Sequence, residues 1–66
     1  MRPALRERRT KLNLTQQQVA DRAKIARSSY VNIENGTRNP SLSVALRIKN
    51  ALECQEDSIF LISDSP

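Results

Sequence analysis

Residues 14–40 read LTQQQVADRAKIARSSYVNIENGTRNP, and this stretch decides the fold. Thr15 precedes a run with helical spacing, and Gln18 lies three residues further on. At this spacing the Thr15 hydroxyl can bond the backbone N–H of Gln18, and the Gln18 amide can bond the backbone N–H of Thr15. The pair is therefore predicted to form a capping box. We therefore expect a helix over 16–23, with a narrow apolar stripe made of Val19, Ala20 and Ala23.

A second helix is predicted directly after the first. Residues 24–26 are too few for anything but a sharp turn, and apolar residues then recur three apart at Tyr30 and Ile33. The pattern stops at Asn35-Gly36, where glycine adopts the left-handed backbone that ends a helix at little cost. The sequence thus predicts a helix over 27–35 that packs on its predecessor.

The outward face of the helix over 27–35 carries four different chemical groups. Arg27, Ser28, Val31 and Asn32 share one side of the helix. The guanidinium of Arg27 can bind the edge of guanine, and the carboxamide of Asn32 can bind the edge of adenine. The hydroxyl of Ser28 can bind either base, and the aliphatic side chain of Val31 can contact a thymine methyl. This face is therefore suited to read base pairs, although polar residues on a short helix more often form a solvated surface.

Composition restricts the function classes. A chain of 66 residues forms one domain near the lower limit for a self-standing core. Eight basic and two acidic residues lie between Met1 and Arg27, against three basic and five acidic in the remainder. The N-terminal half is therefore the expected side for a polyanion, with a merely solvated basic helix as the alternative.

Catalysis and cofactor binding are not expected. The chain has no His and one Cys, so neither the usual zinc sites nor His-dependent nucleophiles can be assembled. Cys54 is interpreted as a small apolar residue, with a redox-sensing thiol as the minor alternative. No apolar run has the length of a membrane span or signal peptide, so we expect a cytoplasmic protein without metal or membrane partners.

The flanking segments are expected to complete an all-α fold. Pro3 suits the first turn of a helix over 3–12, and Ser41 is predicted to cap a helix over 41–53. In the latter, apolar residues at helical spacing are predicted to be buried. They are Leu42, Ala45, Ile48 and Leu52.

The C-terminal segment carries more large apolar residues than one side of a short helix needs. We expect a fifth helix over 56–61, with a strand as the alternative, and a frayed tail over 63–66 after a domain of residues 1–62. The apolar surplus predicts a homodimer interface, unless these groups complete the core. The residues concerned are Val44, Leu46, Ile59, Phe60, Leu61 and Ile62.

Several groups of residues resemble the Cro and phage-repressor type of helix-turn-helix, the Xre family. They are Leu5-Arg6, Arg9, Leu14-Thr15-Gln16, Val19-Ala20, Ile25, Ile33-Glu34, Asn35-Gly36, Arg38-Asn39-Pro40-Ser41-Leu42, Ile48 and Leu52. The likeness covers about Leu5 to Phe60 and implies a compact five-helix, lambda-repressor-like domain. It also implies homodimers that bind palindromic double-stranded operators.

The resemblance assigns roles to individual residues. Base contacts fall on Arg27, Ser28 and Asn32, with Val31 at the edge of the contact. Contacts to the DNA backbone fall on Gln16 and on the loop Thr37, Arg38 and Asn39, where Arg38 can meet either a base or a phosphate. Thr15 belongs to the same backbone-contacting group, and Glu34 is expected to brace the domain rather than touch DNA.

Four positions depart from the family pattern. Lys49 stands where the family commonly has a small buried residue. Lys24 stands where the family most often has glycine, so either the left-handed backbone is tolerated at about 1 kcal/mol or the turn differs; Lys24 can then reach a phosphate. Ala26 replaces the usual Ser or Thr cap, which leaves Ser28 as the alternative cap. Tyr30 stands where the family commonly has an aliphatic residue, and is expected to be core rather than a base-stacking group.

The predicted function is sequence-specific DNA binding by a homodimer that acts as a repressor or autoregulator. The alternative is an antitoxin-like module that mainly binds a partner protein. The sequence leaves open the operator, the sign of regulation and any contact with RNA polymerase.

Overall fold

Four α-helices and one short 3₁₀ helix follow one another along residues 1–62, the part of the chain that the computed structural model describes. They are α1 (Pro3–Lys11), α2 (Gln16–Ala23), α3 (Arg27–Asn35), α4 (Leu42–Ala51) and the 3₁₀ helix (Asp57–Phe60). No strand occurs in this range. The all-α helix-turn-helix class is as predicted, and the tail over 63–66 lies outside the described residues.

Local signals set the helix starts. The Thr15 hydroxyl accepts a hydrogen bond from the backbone N of Gln18 at 3.1 Å, and the Gln18 side chain accepts one from Thr15 N at 2.8 Å. The predicted capping box is therefore confirmed. Ser41 caps α4 by accepting from the backbone N of Val44 at 3.2 Å. Ala26 begins α3 with no side-chain cap, so Ser28 does not take over that role.

All four α-helices end in the same way. The residue after the last turn has a left-handed backbone, and the two N–H groups that follow the helix turn back onto its final carbonyls in a Schellman motif. The left-handed residues are Asn13 (φ 57°), Lys24 (φ 58°), Gly36 (φ 87°) and Glu53 (φ 52°). At α2 the bonds run from Lys24 N to Asp21 O and from Ile25 N to Ala20 O. The turn therefore tolerates a left-handed lysine.

The core lies where α2 packs on α3 and α4, and α1 packs on α3 and the 3₁₀ helix. Small residues on α2 allow close approach of its neighbours, because Ala20 and Ala23 are almost fully buried and bring little bulk. Tyr30 is 0% exposed, as expected of a core residue. The remaining core residues are Leu5, Leu14, Val19, Ile33, Ile48, Ala51, Leu52 and Ile59.

Two expectations about the helices need correction. The fifth helix is a single 3₁₀ turn of four residues, because extended backbone at Glu56 and Leu61 confines it on both sides. Leu42 is 79% exposed, since the buried positions of α4, Ile48 and Ala51, lie in its second half.

The apolar surplus of the C-terminal segment is smaller than the sequence indicated. Ile59 is 5% exposed and belongs to the core, so it is not available to a dimer interface. Val44 and Phe60 are partly buried against the same core. Of the six residues expected at the interface, Leu46, Leu61 and Ile62 remain as exposed apolar side chains.

Candidate nucleic-acid interface

The side of α3 that faces away from the core presents the side chains predicted to read bases. Tyr30, Ile33 and Glu34 point inward and are buried. Their burial fixes the rotation of α3 about its own axis. The opposite side exposes Arg27, Ser28 and Asn32, while Val31 at its edge is partly buried.

The start of α2 lies beside the start of α3. Gln16, Gln17 and Arg27 line one shallow depression, together with Arg9 and residues of the preceding turn, Asn13, Leu14 and Thr15. Two helix starts therefore meet at one surface. Their free N–H groups and the positive ends of their dipoles favour an anion there.

A carboxylate beneath this surface connects three elements. Arg9 on α1 donates from Nε to Glu34 Oε2 at 2.8 Å and from Nη2 to Oε1 at 3.0 Å, a bidentate pair. Its Nη1 also donates to the carbonyl of Leu14 at 2.9 Å. Gln16 Nε2 donates to Glu34 Oε1 at 3.3 Å. Glu34 therefore braces α1, α2 and α3, which is the structural role expected of it.

The electrostatics of this cluster favour the ion pair. Burial by itself raises the pKa of Glu34, but the hydrogen bonds and charge of Arg9, with help from Gln16, hold that pKa below its ordinary value. The bond to Glu34 raises the pKa of Arg9. Burial, reinforced by the Glu34 carboxylate, raises the pKa of Tyr30. The Tyr30 hydroxyl has no hydrogen-bond partner within residues 1–62.

The loop after α3 carries the other predicted backbone contacts. Thr37, Arg38 and Asn39 are all exposed. The backbone N–H groups of Thr37 and Arg38 donate to the carbonyl of Asn32 at 3.0 and 3.2 Å, which ties the loop to the end of α3. Arg38 also reaches back to the hydroxyl of Ser29 on α3 at 3.5 Å. The loop is thus joined directly to α3, the helix that exposes the face predicted to read bases.

Charge asymmetry is a poorer guide to this surface than the sequence indicated. Three basic residues of the N-terminal half form intramolecular hydrogen bonds or ion pairs. Arg9 pairs with Glu34, and Arg8 donates to the carbonyls of Leu52 and Glu53. Arg2 is 3% exposed and is enclosed by backbone carbonyls. The three basic residues predicted to contact DNA, Lys24, Arg27 and Arg38, are all exposed, and none of them belongs to the basic helix α1.

Comparison with known proteins decides the family. A family model described as helix-turn-helix matches residues 5–59, most of the chain. The chain belongs to the Xre-type helix-turn-helix family. Members of this family are small DNA-binding regulators, a class that is typically not enzymatic.

Relatives of this helix-turn-helix chain occur in archaea and bacteria. A protein of Methanothermobacter thermautotrophicus is 37% identical over 65 residues, which cover 97% of this chain and 94% of the relative. One from Archaeoglobus fulgidus is 34% identical over 64 residues, covering 97% and 90%. YqaF of Bacillus subtilis is 44% identical over 52 residues, covering 79% and 68%. Each is named as an uncharacterized HTH-type transcriptional regulator.

No solved structure gives a significant match. Within residues 1–62 of this helix-turn-helix chain, no group of His, Cys, Asp and Glu side chains is arranged to hold a metal ion. None of the helices in that range has the length and apolar character required to span a bilayer.

Proposed function

We propose that this helix-turn-helix regulator, with residues 1–62 as its DNA-binding domain, is a homodimeric repressor or autoregulator that inserts α3 into the major groove of a palindromic operator. One observation carries the proposal. The side of α3 that exposes Arg27, Ser28 and Asn32 is held in orientation by the opposite side, where Glu34 is fixed by Arg9 and Gln16. A fixed orientation is what direct readout of base edges requires.

The readers differ in what they recognise. Arg27 pairs with O6 and N7 of guanine, Asn32 with N6 and N7 of adenine, and Ser28 with either base. Val31, at the edge of the face, packs against a thymine methyl. These four residues supply discrimination between sequences rather than most of the affinity.

Contacts to the sugar-phosphate backbone supply the affinity. Gln16 keeps one amide hydrogen for a phosphate while the other binds Glu34, and it lies at the start of α2, where an anion is favoured. Thr15 precedes it as the cap. Lys24 at the turn is exposed. The loop formed by Thr37, Arg38 and Asn39 contacts the backbone on the other side of α3.

Selection of bound duplexes from a random DNA pool tests the proposal. We expect a palindromic sequence whose half-sites are about 34 Å apart, one helical turn, so that each α3 of the dimer meets a major groove. Failure to enrich any sequence would contradict DNA reading and would favour the antitoxin-like alternative, in which a partner protein is the main ligand.

Replacing Lys24 with glycine separates the stability of the turn from DNA binding. Because Lys24 holds a left-handed backbone, Lys24→Gly is expected to raise the free energy of unfolding by about 0.5 to 1 kcal/mol. It is also expected to weaken binding. Because one phosphate contact is lost, the negative slope of log K against log salt should become shallower by about 0.9. Glu53→Gly is the matched control: it relieves the same strain at the end of α4 and should leave binding unchanged.

The dimer is proposed to form through the apolar side chains that stay exposed in the C-terminal half of the chain. Leu46 is 49% exposed, Leu61 68% and Ile62 43%. A domain this small gains from further apolar burial. Val44 and Phe60 are partly buried, and their exposed parts are proposed to add to this apolar surface.

A charge at Leu61 tests this surface. Leu61→Asp is expected to shift the protein from dimer to monomer in sedimentation at tens of micromolar, because dimer formation would desolvate the carboxylate. Binding to the palindrome should weaken, whereas binding to an isolated half-site should change little. Leu42→Asp is the matched control, since Leu42 is equally apolar, 79% exposed and outside the proposed surface. If the unmodified protein and both variants all sediment as monomers, the proposed dimer is wrong.

A further inference from the structure

Arg2 is the one buried basic residue within residues 1–62, at 3% exposed. Its guanidinium lies at the meeting point of three segments that are distant in sequence. Nε donates to the carbonyl of Phe60 at 2.9 Å. Nη1 donates to the carbonyls of Ile33 and of Arg38, the latter at 3.0 Å, and Nη2 donates to Asn39 Oδ1 at 2.7 Å.

No carboxylate pairs with Arg2 among the described residues, where the ion pairs are Arg9 with Glu34 and Lys49 with Asp57. Within residues 1–62, every partner of the guanidinium is an uncharged oxygen. What Arg2 contributes is therefore the placement of those oxygens by a planar, forked donor, together with a positive charge beside the loop.

Two of the four bonds reach the loop proposed to contact the DNA backbone. The first half of that loop is tied to α3 through the carbonyl of Asn32. The second half, the carbonyl of Arg38 and the side chain of Asn39, is bound by Arg2. Because Arg2 occupies Oδ1 of Asn39, the part of that amide left for DNA is the NH₂ group, a donor suited to a phosphate.

We propose that Arg2 is a positioning residue for DNA binding. Its guanidinium holds Arg38 and Asn39 where they meet the sugar-phosphate backbone. Through the carbonyl of Phe60 it also joins this loop to Leu61 and Ile62, part of the proposed dimer surface. The proposal rests on the function proposed above.

Arg2→Lys tests the proposal without changing the net charge. Lysine keeps the charge but lacks the fork that reaches three segments at once. Arg8→Lys is the matched control, because Arg8 also donates from α1 to two backbone carbonyls, those of Leu52 and Glu53 at the end of α4. Affinity for the selected duplex is measured by fluorescence anisotropy over a series of salt concentrations, at a temperature where circular dichroism shows each variant folded.

Arg2→Lys is expected to lose about tenfold in affinity. The negative slope of log K against log salt should become shallower by the equivalent of about one phosphate contact. Arg8→Lys should unfold at lower denaturant concentration but bind within about twofold of the unmodified protein. In an Arg38→Ala background, the effect of Arg2→Lys should shrink to less than about threefold, since the contact it positions is already absent. Affinity of Arg2→Lys equal to that of Arg8→Lys, or an undiminished effect in the Arg38→Ala background, would overturn the proposal.

A measurement on the unmodified protein covers the case in which Arg2→Lys does not fold. By linkage, DNA bound to the loop must stabilise the arrangement around Arg2 if Arg2 stabilises the bound loop. The Nε proton of Arg2 is therefore expected to exchange with solvent about tenfold more slowly when the selected duplex is saturating. An unchanged exchange rate contradicts the proposal. If the unmodified protein enriches no duplex at all, the proposed function itself has failed, an outcome distinct from normal binding by Arg2→Lys.

Discussion

Replacing Arg9 with methionine is expected to lower the free energy of unfolding by about 3 kcal/mol, the cost of leaving a buried carboxylate without its partner. The side chains of Arg9 and Glu34 are 13% and 5% exposed, so water cannot replace the guanidinium. Methionine retains the apolar stem and removes the bidentate bond. Because small domains have only about 5 to 15 kcal/mol of stability, the variant should unfold at much lower urea concentration.

The double variant Arg9→Met with Glu34→Leu is the control for this prediction. It removes both charges and should recover much of the loss, since breaking a buried pair costs more than replacing it with apolar groups. A loss below about 1 kcal/mol in Arg9→Met would contradict the view that this pair is a buried brace and would class it with exposed ion pairs.

The pH dependence of these variants has a predictable sign. In the unmodified protein the pKa of Glu34 is lowered, so its contribution is fully present above the ordinary value of 4.5 and is lost as the pH falls through the lowered pKa. Without Arg9, burial dominates and raises that pKa. Stability of Arg9→Met should then fall as the pH rises through the raised value. Urea titrations at neutral and acidic pH should therefore bring the two proteins closer together in acid.

Local signals explain why much of the fold was predictable. The bonds between Thr15 and Gln18, the cap at Ser41 and the left-handed Gly36 each depend on residues within a few positions of one another. Glycine itself was not required, because Lys24 and Glu53 end their helices with the same backbone geometry. Sequence rules that look for glycine recognise these ends poorly.

Long-range bonds explain what the sequence did not predict. Arg2 and Phe60 are 58 residues apart, and Arg8 and Leu52 are 44 apart. Nothing near either arginine indicates that it binds carbonyls rather than DNA, and no sequence signal singled out Arg2. The burial of Ile59 could not be predicted from the sequence either. Four successive apolar residues show no periodicity, and the 3₁₀ turn determines which of them is buried.

Replacing Arg27 with alanine is expected to relax base preference at the position it reads, at a cost of about 1 to 3 kcal/mol for the preferred duplex. Arg27 is exposed at the start of α3, in the depression shared with Gln16 and Gln17, so its loss should leave the core unchanged. The unfolding midpoint should therefore stay close to that of the unmodified protein. The measurement compares affinities for the selected duplex and for duplexes with each half-site base replaced in turn.

Two matched variants separate reading from general electrostatic attraction. Arg47→Ala removes the same charge from the exposed surface of α4 and should leave both affinity and preference nearly unchanged. Arg38→Ala removes a proposed phosphate contact, so it should weaken all duplexes alike and lower the salt slope by about 0.9 while preserving the order of preference. Full preference retained by Arg27→Ala would remove this residue from the reading face. Discrimination would then have to come from Ser28 and Asn32, since a phosphate contact carries no direct information about sequence.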